Sequence, residues 1–298
     1  MKIKGVYVKK YISLFMVIIL MLGVCGCARQ DSNIEPENSP ATNTMQSATQ
    51  TPTPEATAEQ SAQNKTSEPT QIPTPEKTPE VTPKTDAPSG ILKGVKIGID
   101  PGHQGKGNSS KEPVAPGSAV VKSKVSSGTQ GKWTRVPEYQ VVLDVGLMLR
   151  DLLEAQGATV YMVRETHAVD ISNAERATMM NDLNTDLVIR IHCNGSENSN
   201  VYGACMLVPS GTNNTQIHGV STEAGTVILN SFVKATGAKN AGIIKRSDLT
   251  GFNWSTVPVC LIEMGYMSNK DEDYKLTSKD YQVKCADGLY RGILEYFS

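Results

Sequence analysis

From residue 31 to residue 90 the chain carries twelve threonines, ten prolines and six serines, no aromatic residue and almost no large aliphatic one. Such a segment cannot bury enough apolar surface to offset the entropy of ordering it. Whatever folds must therefore do so outside it, and residues 28–90 are expected to form a disordered Thr/Pro-rich linker. Its prolines follow no repeated P-x-x-P pattern, which argues for a tether over a docking ligand. Extended at ~3.1 Å per residue, it reaches on the order of 190 Å. The remainder, 91–298, is long enough for one domain with a sizeable core. It holds 21 Lys and Arg against 21 Asp and Glu, so no basic field points to nucleic acid.

Residues 1–27 have a different character. Lys2, Lys4, Lys9 and Lys10 precede Tyr11 to Val24, which is uncharged and almost wholly apolar. A basic start, a short apolar run and then small residues form the pattern of a secretory signal. A single membrane anchor is the competing reading, but the run falls short of the ~20 residues a span needs. Val24-Cys-Gly-Cys27 resembles a bacterial lipobox with Cys27 as the lipidated residue. Cys25 fits less well, because Val24 rather than a small residue precedes it. The plainer alternative is that both thiols merely sit in the apolar segment. The expectation is an exported lipoprotein, held to the membrane by lipid on Cys27.

Within 91–298, apolar runs alternate with helical patterns. Val95 to Ile99 is a β-branched run that stops at Asp-Pro-Gly, as a strand entering a turn does. Pro137-Glu138 opens a helix, with Val141, Val142, Val145, Leu149 and Leu153 on one stripe. Thr159 to Val163 predicts the next strand. Ser172-Asn-Ala-Glu175 is a capping box leading a helix to about Leu183. Leu187 to Cys193, Ala204 to Val208 and Val257 to Ile262 predict strands. Ser221 is expected to cap a helix ending near Gly237, and the last helix runs from about Ser278 to Tyr296. This alternation predicts an α/β domain with a twisted, mostly parallel mixed sheet flanked by helices. Ile191 to Val208 is too short for a helical crossover, so those two strands are expected to be antiparallel neighbours. Gly105 to Arg135, rich in Ser, Gly and Lys, reads as a long structureless loop shaping a cleft. Cys193, Cys205, Cys260 and Cys285 lie in apolar runs without the spacing of a disulfide framework, and read as small buried hydrophobes.

Four short segments set polar side chains where this scaffold meets loops: Asp100-Pro-Gly-His103, Pro137-Glu138, Ile191-His-Cys-Asn194 and Leu261-Ile-Glu-Met-Gly265. Two histidines and a glutamate form the ligand set zinc takes in catalytic sites, with a fourth position left to water. Each residue also has an ordinary explanation. His103 could be a solvated turn residue, and Glu138 is favoured by the helix dipole in a first turn. His192 could be a satisfied core histidine, and Glu263 the partner of an ion pair with Arg246. Asp100 is placed to fix the tautomer of His103, as carboxylates behind ligating histidines do. His167 and His218 lie in polar connecting segments and read as solvated.

The contexts of these residues carry a resemblance. Lys96-Ile-Gly-Ile-Asp-Pro-Gly-His103, Pro137-Glu138-Tyr139, Ile189-Arg-Ile-His-Cys-Asn194 and Pro258 to Asn269 resemble, in order, the zinc-dependent N-acetylmuramoyl-L-alanine amidases of the amidase-3 type. These are bacterial cell-wall hydrolases, and the likeness spans about Val95 to Phe297. It implies one Zn2+ held by His103, Glu138 and His192. It implies Glu263 as the catalytic acid/base that takes a proton from water and passes one to the leaving amine. The implied substrate is peptidoglycan, cut between N-acetylmuramic acid and L-alanine; with lipid on Cys27 the chain is expected to act as an extracytoplasmic, membrane-tethered monomer facing the cell wall. A zinc carboxypeptidase acting on stem peptides, or a tethered wall-binding protein without turnover, are the alternatives. One departure stands out: the family commonly has a small polar residue where this chain has Arg190.

Overall fold

The computed structural model describes residues 90–211 and 215–298. The signal segment with Cys25 and Cys27, and the Thr/Pro-rich segment through residue 89, lie outside the described residues. In chain order the elements are β1 (Lys96–Pro101), β2 (Asn108–Pro113), β3 (Val121–Val125), α1 (Glu138–Glu154), β4 (Thr159–Met162), α2 (Asn173–Asp182) and β5 (Leu187–Asn194). There follow β6 (Ala204–Pro209), α3 (Thr215–Thr236), β7 (Asn240–Arg246), α4 (Thr250–Asn253), β8 (Val259–Tyr266), α5 (Lys270–Leu276) and α6 (Lys279–Tyr296).

The main sheet has six strands in the order β4-β1-β5-β8-β6-β7. The first four run parallel, β6 is antiparallel to β8, and β7 is parallel to β6. This is the mostly parallel mixed sheet that the strand–helix alternation predicts. Central parallel strands are covered on both faces, so β5 and β8 read as nearly unbroken apolar runs. The strand period of two still separates their side chains. Ile97, Ile99, Leu187, Ile189, Ile191, Cys260 and Ile262 face the larger core, built with α1, α3 and α6. Val188, Val259 and Leu261 join a smaller cluster with Met180 of α2 and Phe252 of α4. Asp100, Arg190, His192 and Glu263 alternate onto this second, thinly covered face.

Close helix packing seals the larger core. A Cβ added at Gly292 of α6 would stand 2.6 Å from the Ile228 Cα of α3, so the two backbones meet where only hydrogen fits. Cys193, Cys205, Cys260 and Cys285 are unpaired and buried, as expected of small hydrophobes. The capping box at Ser172 is present with both its reciprocal bonds. Among the described residues no helix is long and apolar enough to cross a membrane.

Several local expectations need correction. β5 and β6 are not neighbours: β8 lies between them, because the chain returns through α3, β7 and α4 to insert its last strand at the centre. The stretch after Gly105 is not structureless, since β2 and β3 form an antiparallel hairpin. Its strands are mostly exposed, so they carry no apolar alternation to betray them. Ser221 caps nothing. It lies inside α3, fully buried, and its Oγ accepts the Val259 N–H at 3.0 Å. Pro137 sits at the N-cap of α1 rather than in its first turn. β7, α4 and α5 are elements that the sequence reading leaves out.

Candidate metal centre

β1, β5 and β8 are adjacent and parallel, and their C-terminal ends meet the N-terminus of α1 at one edge of the sheet. Carboxyl ends of parallel strands are where α/β folds build sites. His103 follows β1 by two residues with φ 60°, a left-handed conformation that non-glycine residues rarely adopt and that often marks functional turns. His192 lies near the end of β5, and Glu138 is the first residue of α1. Gly102 allows the approach, since a Cβ there would come within 2.3 Å of the His192 ring.

The three side chains converge. Glu138 Oε1 is 3.2 Å from His103 Nε2 and 3.1 Å from His192 Nδ1, and those two nitrogens are 3.1 Å apart. Donor atoms bound at 2.0–2.1 Å around a tetrahedral zinc stand about 3.3 Å from one another, so this triangle fits one face of such a centre. The donor chemistry fits as well. His103 Nδ1 lies 3.0 Å from the Ser126 carbonyl, so with its proton there Nε2 turns a lone pair to the triangle. Burial pulls the His192 imidazole down to about 4, keeping it neutral and able to donate. Burial pushes the Glu138 carboxyl up, but the adjoining His103 and His192 imidazoles outweigh it and hold the group well below the usual carboxylate range. Backbone N–H groups aim it: Cys193 donates to Oε1 at 2.9 Å and Thr129 to Oε2 at 2.8 Å.

Asp100 does not touch His103; the Ser126 backbone holds that ring instead. Asp100 is taken by two arginines, with Arg176 Nη1 on Oδ1 and Arg190 Nε on Oδ2, each at 2.7 Å. Arg176 also donates to the carbonyls of Pro101 and His103, and Arg164 to those of Pro101, Gly102 and Tyr139. Two guanidiniums thus strap the turn that presents His103. Ser126, Thr129, Arg164 and Arg176 escape the sequence reading because the first two act through their own backbone atoms and the two arginines reach carbonyls far along the chain. Only Arg176 leaves a trace, as a charge on the otherwise apolar face shared by Ala177 and Met180.

Glu263 pairs in register with His192 across β5 and β8. Its Oε2 is buried without a hydrogen-bond partner, and burial, then the Glu138 charge, push its carboxyl well above the usual range. Arg246 does not bond it, being engaged by Asp248 at 2.7 and 2.8 Å. His167 is not simply solvated: its ring packs edge-on against Tyr139, and its Nδ1 is buried. His218 lies within α3, bonded through Nδ1 to the Pro209 carbonyl.

Known proteins share this fold. Over residues 97–295 the chain matches the family model described as N-acetylmuramoyl-L-alanine amidase. It is 28% identical over 215 residues to an N-acetylmuramoyl-L-alanine amidase of Mycobacterium tuberculosis, covering 70% of this chain and 88% of that protein. It is 29% identical over 222 residues to the germination-specific N-acetylmuramoyl-L-alanine amidase of Bacillus subtilis, covering 70% and 81%. Among solved structures, the apo form of the amidase Ami1 from Mycobacterium abscessus superposes with a TM-score of 0.64 at 26% identity, covering 70% of this chain and 100% of that one. With the matched region enclosing every strand end that bears a site residue, the chain belongs to the N-acetylmuramoyl-L-alanine amidase family.

Proposed function

We propose that the chain hydrolyses the amide joining the lactyl group of N-acetylmuramic acid to L-alanine in peptidoglycan. His103, Glu138 and His192 would hold one zinc ion, with Glu263 as the proton-transfer group. The observation that carries this is the triangle of two imidazole nitrogens and one carboxylate oxygen, 3.1–3.2 Å on each side. Zinc bound there would supply Lewis acidity, polarising the scissile carbonyl and easing deprotonation of water near neutral pH.

The protein's own part is positioning and proton transfer. Glu138 cannot swing away, because backbone amides of Cys193 and Thr129 grip both of its oxygens. His103 is held by Ser126 on one side and by the arginine-strapped turn on the other. Glu263 takes a proton from the attacking water and returns one to the departing L-alanine amine. Its buried, unpartnered oxygen and raised proton affinity suit a group that must be protonated during turnover. Lipid on Cys27 would hold the domain outside the membrane through the 28–90 linker, as the basic start, short apolar run and lipobox-like cysteine support.

Incubation of purified peptidoglycan with the zinc-loaded chain, followed by mass analysis, tests the reaction. An amidase releases whole stem peptides with a free L-alanine amine and leaves intact glycan strands. Peptides shortened only at their C-termini would instead identify a carboxypeptidase, and no release at all would leave a binding protein. Metal analysis of His103→Ala, Glu138→Ala and His192→Ala tests the centre. Each should lose stoichiometric zinc, because a three-ligand site cannot spare one; zinc undiminished in any of them removes that residue from the set.

A further inference from the structure

His103 and His192 also wall a cavity of about 180 Å³ that the proposed chemistry does not use. Arg190, Lys122, Asn173 and Asp248 line it as well. Arg190 is only 5% exposed, and its guanidinium is fixed on three sides. Nε is bonded to Asp100 and Nη2 to the Asn173 Oδ1 at 2.9 Å. Nη1 lies against Gly251, where a Cβ would come within 1.9 Å of it, so the head group rests on bare backbone. With Nε and Nη2 engaged, Nη1 is the donor this buried, pre-oriented arginine has left for a carboxylate oxygen beside the reaction centre.

The carboxylates that line or back the cavity are each engaged by two cations, Asp100 by Arg176 and Arg190 and Asp248 by Arg246 and Lys122. A second, more open groove of about 580 Å³ shares His103 and has a different character. Hydroxyls of Ser126, Thr129, Ser196 and Ser268 line it, with the Glu197 carboxylate. That surface suits sugar hydroxyls and repels an anion.

We propose that the Arg190 cavity is the subsite for the peptide side of the scissile amide, where Arg190 anchors a free carboxylate on the second residue of the stem peptide. The hydroxyl-lined groove would then take the glycan. Arg190 precedes His192 by two residues on the same face of β5, about 6.6 Å along the strand. The second stem residue lies two steps from the lactyl carbon, at most about 7.6 Å with consecutive Cα atoms about 3.8 Å apart, which is a similar distance. This inference rests on the amidase reading, and the test separates the two.

Two muramoyl dipeptides, identical except that the second residue carries a free α-carboxylate or its carboxamide, are offered to the zinc-loaded intact chain in detergent. The free acid should be cleaved with kcat/KM about ten- to a hundredfold higher, mainly through KM. Arg190→Ser, which installs a small polar residue, should collapse that ratio to near one. Equal kcat/KM for both substrates in the unaltered chain overturns the proposal while leaving the amidase reading intact. Cleavage of neither counts against the amidase reading, and calorimetry then decides on Arg190. The product dipeptide should bind at least about tenfold more tightly as the free acid than as the carboxamide, and lose that advantage in Arg190→Ser; equal binding overturns the proposal. Should Arg190→Ser fail to fold, the ratio in the unaltered chain already decides. Lys122→Ala, on the exposed hairpin, should lower that ratio independently.

Discussion

Single side chains at this centre are held by atoms distant in sequence, and their charge states follow from those contacts. Glu263 is the sharpest case, an acid with one buried oxygen that nothing bonds. Glu263→Gln keeps its shape but cannot carry a proton, so turnover should fall by about 10²–10⁴ while zinc stays bound. Metal analysis beside kinetics checks both halves; zinc departing with the substitution would make Glu263 a ligand. Asp100 offers a test of the support behind the site. Burial raises its carboxyl, but Arg176 and Arg190 outweigh this and hold it well below the usual range. A depressed folded pKa stabilises fully above the unfolded value of about 3.9, and that stabilisation is lost as the pH falls below it. Removing one partner of a buried pair costs roughly 3–5 kcal/mol, so Arg176→Met should be less stable at neutral pH and unfold at a higher pH on acidification. Circular dichroism between about pH 2 and 6 reads the midpoint. An unshifted midpoint would disconnect Asp100 from the fold.

At the scale of elements, adjacency in the sheet makes the site. β5 sits between β1 and β8, so the three strand ends that bear His103, His192 and Glu263 are neighbours. α1 then delivers Glu138 in its first turn, where the helix dipole also favours a carboxylate. Helix packing beneath them gives a paired prediction. Gly292 of α6 faces the α3 backbone, whereas Gly219 of α3 has nothing within 4 Å of an added Cβ. Gly292→Ala forces the helices apart at a cost of about 1–3 kcal/mol, more than the ~1 kcal/mol gained in helix propensity. Gly219→Ala has only the gain. Thermal unfolding should show a fall of a few degrees for the first and a rise of up to ~4 °C for the second. A rise for both would mean that α3 and α6 are not tightly apposed in solution.

For the whole molecule, the proposed anchor lies in chain outside the described fold. If Cys27 carries lipid, processing removes residues 1–26, and two or more acyl chains anchor stably where one would be marginal. Metabolic labelling with a fatty-acid probe should mark the protein, lose the mark in Cys27→Ala and keep it in Cys25→Ala. Label that vanishes only in Cys25→Ala would move the site to that residue. The sequence alone marked β1, β5 and β8 and the starts of α1, α2 and α6, because apolar period, Pro and Gly punctuation and capping residues act within a few positions. It also displayed the four segments of the site, since each is a local signal. Tertiary structure alone decided that β8 would enter between β5 and β6, that Asp100 would serve two arginines rather than His103, and that Ser126 and Thr129 would hold His103 and Glu138. Those outcomes depend on which strands become neighbours, on side chains such as Asp100 and Arg176 that meet from far apart in sequence, and on backbone atoms that every residue shares, so no local pattern along the chain announces them.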